Sequence, residues 1–139
     1  MTKYWHNVYH NTMHTLIITN NEKVNIEFIN DENVEYHEEA EQTEILLIAR
    51  DYIHLGARLI MHPMLGRIKP HETPYKSIFL ENVKGEIDFE SLIIIEDSIA
   101  ETQKILCDTM RKKYDDTMLE DLRYIDYLLL KNGIDEYRR

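Results

Sequence analysis

The sequence predicts an α/β fold, in which a small mixed, partly parallel sheet of about four strands is flanked by helices. Two mainly apolar runs, Thr15–Thr19 (TLIIT) and Arg58–His62 (RLIMH), are typical of strands in a central sheet. Between them, Glu39–Leu55 carries an apolar stripe at helical spacing, and Gly56 can end that helix in a left-handed conformation. A strand, a helix and a second strand form a right-handed crossover, which makes the two strands parallel.

Two further strands complete the predicted sheet. Val24–Ile29 alternates apolar and polar residues, as a half-buried strand does. Ser77–Leu80 (SIFL) is a short apolar run typical of a central or edge strand. Residues 1–13 are rich in Asn, His and Tyr and lack apolar periodicity. We therefore expect a flexible N-terminal arm ahead of a single α/β domain over residues 14–139.

Two helices are predicted after these strands. Asp88 is a good N-cap for a helix that starts at Phe89 and runs to about residue 112, with Cys107 on its buried face. Thr117 opens a capping box for the last helix, which Gly133 is expected to end. That helix carries more Leu, Ile and Tyr than docking on a small sheet needs, so we predict a homodimer.

Composition limits the classes of partner. The chain has 139 residues, with 16 Lys and Arg against 26 Asp and Glu, which gives a formal net charge of −10. A surface this negative repels phosphate backbones, so we predict no binding to nucleic acid. The apolar runs are far shorter than the roughly 20 residues that span a bilayer, so we predict no membrane association. With a single cysteine, which excludes an internal disulfide, we expect a cytoplasmic protein.

Three histidines recur every four residues near the start of the chain. His6, His10 and His14 would share one face of a helix, as ligands of a divalent metal can. The residues between them are poor helix formers, so a surface arm is the alternative. We predict no metal site. No cofactor is predicted either, because the chain lacks a P-loop and a dinucleotide-binding fingerprint.

The segment His62–Ser77 (HPMLGRIKPHETPYKS) is the predicted binding loop. Its three prolines restrict the backbone, which lowers the free energy needed to order the loop around a ligand. Four basic residues against one acidic residue between positions 58 and 76 make this part of the chain locally positive. A positive focus in an acidic protein attracts small anions and deters large polyanions.

The predicted site draws on this loop and on the end of the first strand. If the two central strands are parallel, Asn20 and His62 open onto the same side of the sheet, where α/β folds place ligands. An arginine in the loop can bind a carboxylate or phosphate through two hydrogen bonds. The residues predicted to line the anion site are Asn20, His62, Gly66, Arg67, Lys69, Thr73 and Tyr75.

Two other functions compete with small-anion binding. One is a small enzyme acting on a carboxylate or phosphate, with His62 as acid and base and Arg67 holding the anion. No nucleophile motif supports that function, so we assign no catalytic residue. The other is a scaffold that binds a partner protein through the loop or the last helix.

Several motifs together resemble the GrdX family. They are LIITNN near the start, HPMLG, the continuation IKPHETPYKSI, and ESLIIIEDSI in the later helix, and they cover roughly residues 14–108. The family consists of small proteins encoded with the glycine reductase system of amino-acid-fermenting anaerobes, and it has no established activity. The resemblance therefore implies a cytoplasmic, non-catalytic accessory protein of that system, without naming its ligand or partner.

Overall fold

A computed structural model describes residues 14–110 and 112–139 of the protein. The strands in these residues are β1 (Thr15–Thr19), β2 (Val34–Tyr36), β3 (Arg58–Leu59) and β4 (Ser77–Glu81). The helices are α1 (Glu22–Phe28), α2 (Gln42–His54), α3 (Phe89–Asp108) and α4 (Asp116–Arg138), with a short 3₁₀ turn at Pro70–Glu72. The predicted N-terminal arm, residues 1–13, lies outside the described residues.

The four strands form one mixed sheet in the order β2-β1-β4-β3. β1 pairs with β2 in parallel, whereas β4 lies antiparallel to both β1 and β3. Helices flank this sheet, so the predicted small, partly parallel α/β fold is confirmed.

The two strands predicted to be parallel, Thr15–Thr19 and Arg58–His62, are not neighbours in the sheet. The parallel neighbour of β1 is β2, which has only three residues. The strand that starts at Arg58 is a two-residue edge strand bonded to β4. Because β4 runs antiparallel to both β1 and β3, those two strands still point the same way. Asn20 and His62 therefore follow strands that end at the same side of the sheet.

The predicted strand Val24–Ile29 is wrong, because helix α1 occupies these residues. Asn21 starts the helix by accepting a hydrogen bond of 3.0 Å from the Lys23 backbone N–H. Val24 is buried and Phe28, four residues later, packs against the same core, whereas Ile26 is 61% exposed. The spacing of Val24, Ile26 and Phe28 fits a strand, and the spacing of Val24 and Phe28 also fits a helix. The N-cap at Asn21 favours the helix.

The sheet separates two apolar cores. On one face, Ile18, Ile78 and Leu80 pack against helices α2 and α3. On the other face, Ile17 and Phe79 pack against α1 and α4. Adjacent residues of β1 thus serve opposite cores, because successive side chains of a strand alternate between its faces.

The last helix extends past its predicted end. α4 continues through Gly133 to Arg138, whose guanidinium Nη2 lies 2.6 Å from Glu32 Oε1. Gly133 lies against Met61, where a Cβ atom would come within 2.1 Å of the Met61 sulfur. The glycine therefore permits close helix packing and does not act as a C-cap. The helix begins after Asp115, whose side chain accepts a hydrogen bond from the Met118 backbone N–H, and not at the predicted capping box.

The position of Cys107 is also corrected. Helix α3 ends at Asp108, earlier than predicted, and the Cys107 side chain is exposed instead of buried. Among the described residues, no helix combines the length and apolar character needed to cross a bilayer.

Candidate functional site

Asn20 anchors the loop to the body of the protein. It follows β1 directly and is only 7% exposed. Its side-chain N–H groups donate to the carbonyl oxygens of Ala40 at 2.8 Å and Pro74 at 2.9 Å. Its Oδ1 accepts a hydrogen bond of 2.9 Å from the Lys76 backbone N–H. Both of its donors are occupied, so Asn20 shapes the loop and keeps no N–H free for a ligand.

Gln42, the first residue of α2, is a second anchor that the sequence analysis did not identify. Its Nε2 donates to the carbonyl oxygens of Pro70, at 2.7 Å, and Thr73. Gln42 is 4% exposed, and Pro70 is buried as well. Because two buried amides bind its carbonyl groups, the second half of the loop is preformed.

The anchored half of the loop borders a cleft of about 340 Å³. The cleft lies between the loop, the start of α2, and the segment that leads from α3 into α4. Three of the predicted site residues, Asn20, Thr73 and Tyr75, line it. The other described lining residues are Glu38, Ala40, Glu41, Gln42, Pro70, Pro74, Leu106, Lys112, Tyr114 and Leu119.

Thr73 and Tyr75 already hold local bonds. The Thr73 hydroxyl accepts a hydrogen bond of 3.2 Å from the Tyr75 backbone N–H, as in a turn. The Tyr75 hydroxyl accepts a hydrogen bond of 2.7 Å from Arg123 Nη1, and the guanidinium carbon lies 5.8 Å from the ring centroid. Arg123 thus fixes the Tyr75 ring at the edge of the cleft.

Gly66, Arg67 and Lys69 lie elsewhere, in an open depression of about 390 Å³ that α3 borders with Glu101 and Ile105. Gly66 has φ +103°, a conformation that favours glycine, and a Cβ atom there would lie 2.8 Å from Leu129. Arg67 and Lys69 are both exposed. Within residues 14–110 and 112–139, neither side chain has an ion pair with a carboxylate.

His62 lies in a third place. Its Nδ1 accepts a hydrogen bond of 3.0 Å from the Met64 backbone N–H. It borders a cavity of about 40 Å³ together with Lys76 and Asp126. No carboxylate is hydrogen-bonded to the His62 ring in the described part of the chain. The seven predicted residues are therefore divided among three locations.

Lys76 is one of the four basic residues of the locally positive segment, but it is largely buried. Its Nζ donates a hydrogen bond of 2.6 Å to the Pro63 carbonyl, which ties the two ends of the loop together. Burial lowers the pKa of Lys76, while the nearby Asp126 acts in the opposite direction. Arg58, another of these four residues, lies 3.5 Å from Glu81 at the opposite end of β4. Among the described residues of the loop, Arg67 and Lys69 are therefore the cations that face solvent.

Asp126 of α4 forms the centre of a polar cluster beneath the loop. Its Oδ2 accepts hydrogen bonds from Ser77 Oγ at 2.7 Å and Asn21 Nδ2 at 2.9 Å. The Ser77 hydroxyl also lies 2.7 Å from Thr19 Oγ1. Burial raises the pKa of the Asp126 carboxyl, although these hydrogen bonds and Lys76 lower it. This cluster joins α4 to the ends of β1 and β4, and sequence periodicity alone gave no signal for it.

The metal hypothesis receives no support from the described residues. Among them, no group of three His, Cys, Asp or Glu side chains could hold a metal ion. His6 and His10 lie outside the described residues. A metal site and a surface arm therefore both stay predictions for residues 1–13.

The comparison with known proteins concerns nearly the whole chain. A family model described as GrdX-like protein matches residues 16–135. No match was found among curated proteins or among solved structures. The matched residues include the loop, both amide anchors and the cluster around Asp126. The chain therefore belongs to the GrdX-like family.

Proposed function

We propose that this protein is a non-catalytic accessory protein of the glycine reductase system, and that it binds a small anion or an anionic group of a partner protein through the loop His62–Ser77. Membership of the GrdX-like family supports the metabolic setting. We further propose that it acts in the cytoplasm as a soluble protein.

The observation that carries the binding proposal is the exposure of Arg67 and Lys69 on a braced loop. Asn20 and Gln42 hold the second half of this loop, and Lys76 bonds its first half at Pro63. A loop that is already ordered loses little conformational entropy when a ligand binds. Ordering of the loop therefore subtracts little from the free energy that the two cations gain when they bind an anion.

Electrostatics favour a small anion at this position. The chain carries a formal charge of −10, yet the depression beside α3 is lined by Arg67 and Lys69 against the single carboxylate Glu101. A guanidinium and an ammonium two residues apart can hold the two oxygens of a carboxylate or phosphate. The acidic surface around them disfavours large polyanions.

The enzyme alternative has less support than binding. An acid and base role for His62 requires a carboxylate bonded to its ring beside an open cleft. In the part of the chain that the structure describes, the ring accepts from Met64, and its neighbouring cavity of about 40 Å³ has space for roughly one water molecule. We therefore favour binding over catalysis.

Isothermal titration calorimetry with sodium phosphate and sodium acetate tests the proposed function. We expect saturable binding to the wild type and a loss of at least fivefold in affinity for the double variant Arg67→Ala with Lys69→Ala, because both cations contact the anion. Lys84→Ala is the matched control, since Lys84 is exposed at the opposite end of the sheet.

Three results would contradict the binding proposal. One is the absence of saturable heat with either anion. Another is an equal loss of affinity in the double variant and in Lys84→Ala, since this would show a general effect of protein charge. The third is retained affinity in the double variant, which would show that the loop does not form the anion site.

The accessory role is tested separately with purified glycine reductase components. We expect the protein to co-elute with one of these components in gel filtration, and the double variant at Arg67 and Lys69 to elute alone. Separate elution of the wild type would contradict a role that depends on direct binding through the loop.

A further inference from the structure

We propose that the anion held by Arg67 and Lys69 is a short-chain aliphatic carboxylate, whose alkyl chain lies on an apolar floor between the loop and α3. This inference rests on the proposed function, because it names the ligand class of the same depression. It adds a preference that the two cations alone do not explain, which is a preference for a carboxylate with an apolar tail over inorganic phosphate.

The first observation is that the depression has a charged rim and an apolar floor. Its described lining residues divide into two groups by their exposure. The exposed group, which forms the rim, is Gly66, Arg67, Lys69 and Glu101. The half-buried or buried group, which forms the floor, is Met64, Ile68, Pro70 and Ile105. A ligand with an ionic head and an apolar body would meet surface of its own kind at both levels.

The second observation is that the apolar floor is held in place. The Met64 sulfur accepts a hydrogen bond of 3.6 Å from the hydroxyl of Thr102, a fully buried residue of α3. Pro70 is buried, and its carbonyl oxygen accepts a hydrogen bond of 2.7 Å from Gln42. An alkyl chain therefore binds to this floor without having to order it. Inorganic phosphate has no apolar part, so it leaves the floor in contact with water.

The third observation is the charge of the rim. The described charged residues that line the depression are Arg67, Lys69 and Glu101, with a formal charge of +1 (2 − 1). Glu72 lies beside this rim and accepts a hydrogen bond of 3.0 Å from the Lys69 backbone N–H. That hydrogen bond is the main cause that lowers the pKa of Glu72, and the charge of Lys112 contributes, so Lys69 is not its sole cationic neighbour. One negative charge on the ligand matches this rim.

The length of the alkyl chain should set the affinity. A methylene group that is fully buried on binding raises the affinity about fourfold. The depression is open, so we expect about half of the surface of each methylene group to leave water, which corresponds to a gain of about twofold. The affinity should therefore rise with each carbon that still reaches the floor.

The test compares sodium acetate, sodium butyrate, 1-butanol and sodium phosphate. Each is titrated into the full-length protein at neutral pH and constant ionic strength, while the amide signals of Gly66, Ile68 and Ile105 are followed by two-dimensional NMR. Butyrate has two methylene groups more than acetate, so we expect it to bind about fourfold more tightly. Butanol lacks the charge and phosphate lacks the apolar chain, so each should bind roughly threefold or more weakly than butyrate.

A matched pair of variants tests the role of the floor. Ile105→Ala removes part of the floor, whereas Ile93→Ala shortens an isoleucine of the same helix that is 61% exposed and does not line the depression. We expect the preference for butyrate over acetate to fall to about twofold in Ile105→Ala and to stay at about fourfold in Ile93→Ala. Both affinities of this ratio are measured on one variant, so a general loss of stability does not imitate the result.

The possible outcomes separate this inference from the proposed function. Absence of saturable shifts with all three anions would contradict the anion site, and this inference with it. Saturable binding with equal affinities for acetate and butyrate, or for butanol and butyrate, would keep the binding site but overturn the aliphatic carboxylate. Equal preferences in the two isoleucine variants would do the same. The double variant at Arg67 and Lys69 should lose butyrate affinity, and retained affinity would overturn both proposals.

Discussion

The Oδ2 atom of Asp126 lies 2.7 Å from the Ser77 hydroxyl, so the last helix is bonded directly to the first residue of the central strand β4. The same oxygen accepts a hydrogen bond from Asn21, which caps α1. One carboxylate therefore links three elements at the end of the sheet that carries the loop His62–Ser77.

Removal of this carboxylate should destabilise the fold. We expect Asp126→Ala to lower the free energy of unfolding by about 1–3 kcal/mol, because it removes the partner of two partly buried donors. Urea denaturation measures the effect. Asp121→Ala, an exposed aspartate of the same helix, is the control and should change stability by less than about 0.5 kcal/mol. Equal effects at both positions would contradict the linking role.

The Asp126 carboxyl should also make the free energy of unfolding depend on pH. Burial raises the pKa of Asp126 above its ordinary value of 3.8, so the folded protein keeps the proton to higher pH than the unfolded chain does. The stability due to this proton is complete below pH 3.8 and is lost as the pH rises through the folded-state pKa. The wild type should therefore lose stability relative to Asp126→Asn as the pH rises from about 3.5 to 7. Urea denaturation at several pH values tests this, and a relative gain would contradict it.

Tyr52 offers a second test at high pH. Its hydroxyl donates to Glu35, and this hydrogen bond, with burial and the charge of Glu35, raises the pKa of Tyr52 to about 12. The stability from this bond is complete below pH 10 and is lost as the pH rises through the folded-state value. We expect Tyr52→Phe to lower the free energy of unfolding at pH 7 by about 1 kcal/mol.

The control for Tyr52 is Tyr124→Phe, since Tyr124 is 49% exposed. It should leave stability nearly unchanged. Spectrophotometric titration should also show one tyrosine fewer ionising near pH 12 in Tyr52→Phe. If the tyrosine missing from the titration of the variant ionises near the ordinary value of 10, the assigned hydrogen bond is contradicted.

Gly56 and Gly85 both have positive φ, but only Gly56 lies close to other atoms. Substitution of each by alanine therefore distinguishes the cost of backbone strain from the cost of steric conflict. Gly56 has φ +116°, and a Cβ atom there would lie 2.4 Å from the Gly85 backbone nitrogen. Gly85 has φ +150° and nothing within 4 Å of an added Cβ atom. We expect Gly56→Ala to destabilise the protein by about 1–3 kcal/mol more than Gly85→Ala, since only the first requires the backbone to move. Thermal unfolding of both variants tests this, and equal losses would contradict the close contact.

The predicted homodimer can be tested on the exposed face of α4. Leu130 and Ile134 are buried in the core of the same chain, whereas Ile125 is 38% exposed. If this face mediates dimerisation, light scattering should give twice the chain mass of 16.7 kDa. Ile125→Asp should then give a monomer, and the control Ile93→Asp, on the exposed face of α3, should remain a dimer. A wild-type mass of one chain would remove the homodimer prediction.

Local sequence pattern was sufficient to locate the long elements, but not the ends of α3 and α4, and it was insufficient for the short elements. The strand Thr15–Thr19 follows from its continuous apolar run, and the helix around Gln42–His54 follows from apolar residues at helical spacing. Strand β2 has three residues, too few for a periodic signal, and its pairing depends on the tertiary fold. Val24–Ile29 fits both periods, and only the Asn21 cap distinguishes them.

The candidate site also has features that the local sequence predicted and features that it did not. The prolines predicted a restricted loop over His62–Ser77, because proline restricts the backbone wherever it occurs. Anion binding by this loop stays a prediction. The burial of Lys76 against Pro63 could not be predicted, because it depends on residues that are distant in sequence. Gln42 was missed for a similar reason, since its partners lie about 30 residues away.

NMR mapping of phosphate binding tests the central claim most directly. Sodium phosphate is titrated at constant ionic strength into the full-length protein while the backbone amide signals are followed. We predict saturable shifts at Gly66, Arg67 and Lys69, and none at Lys84. Shifts that do not saturate, or that spread equally over the surface lysines and arginines, would contradict an anion site on the braced loop.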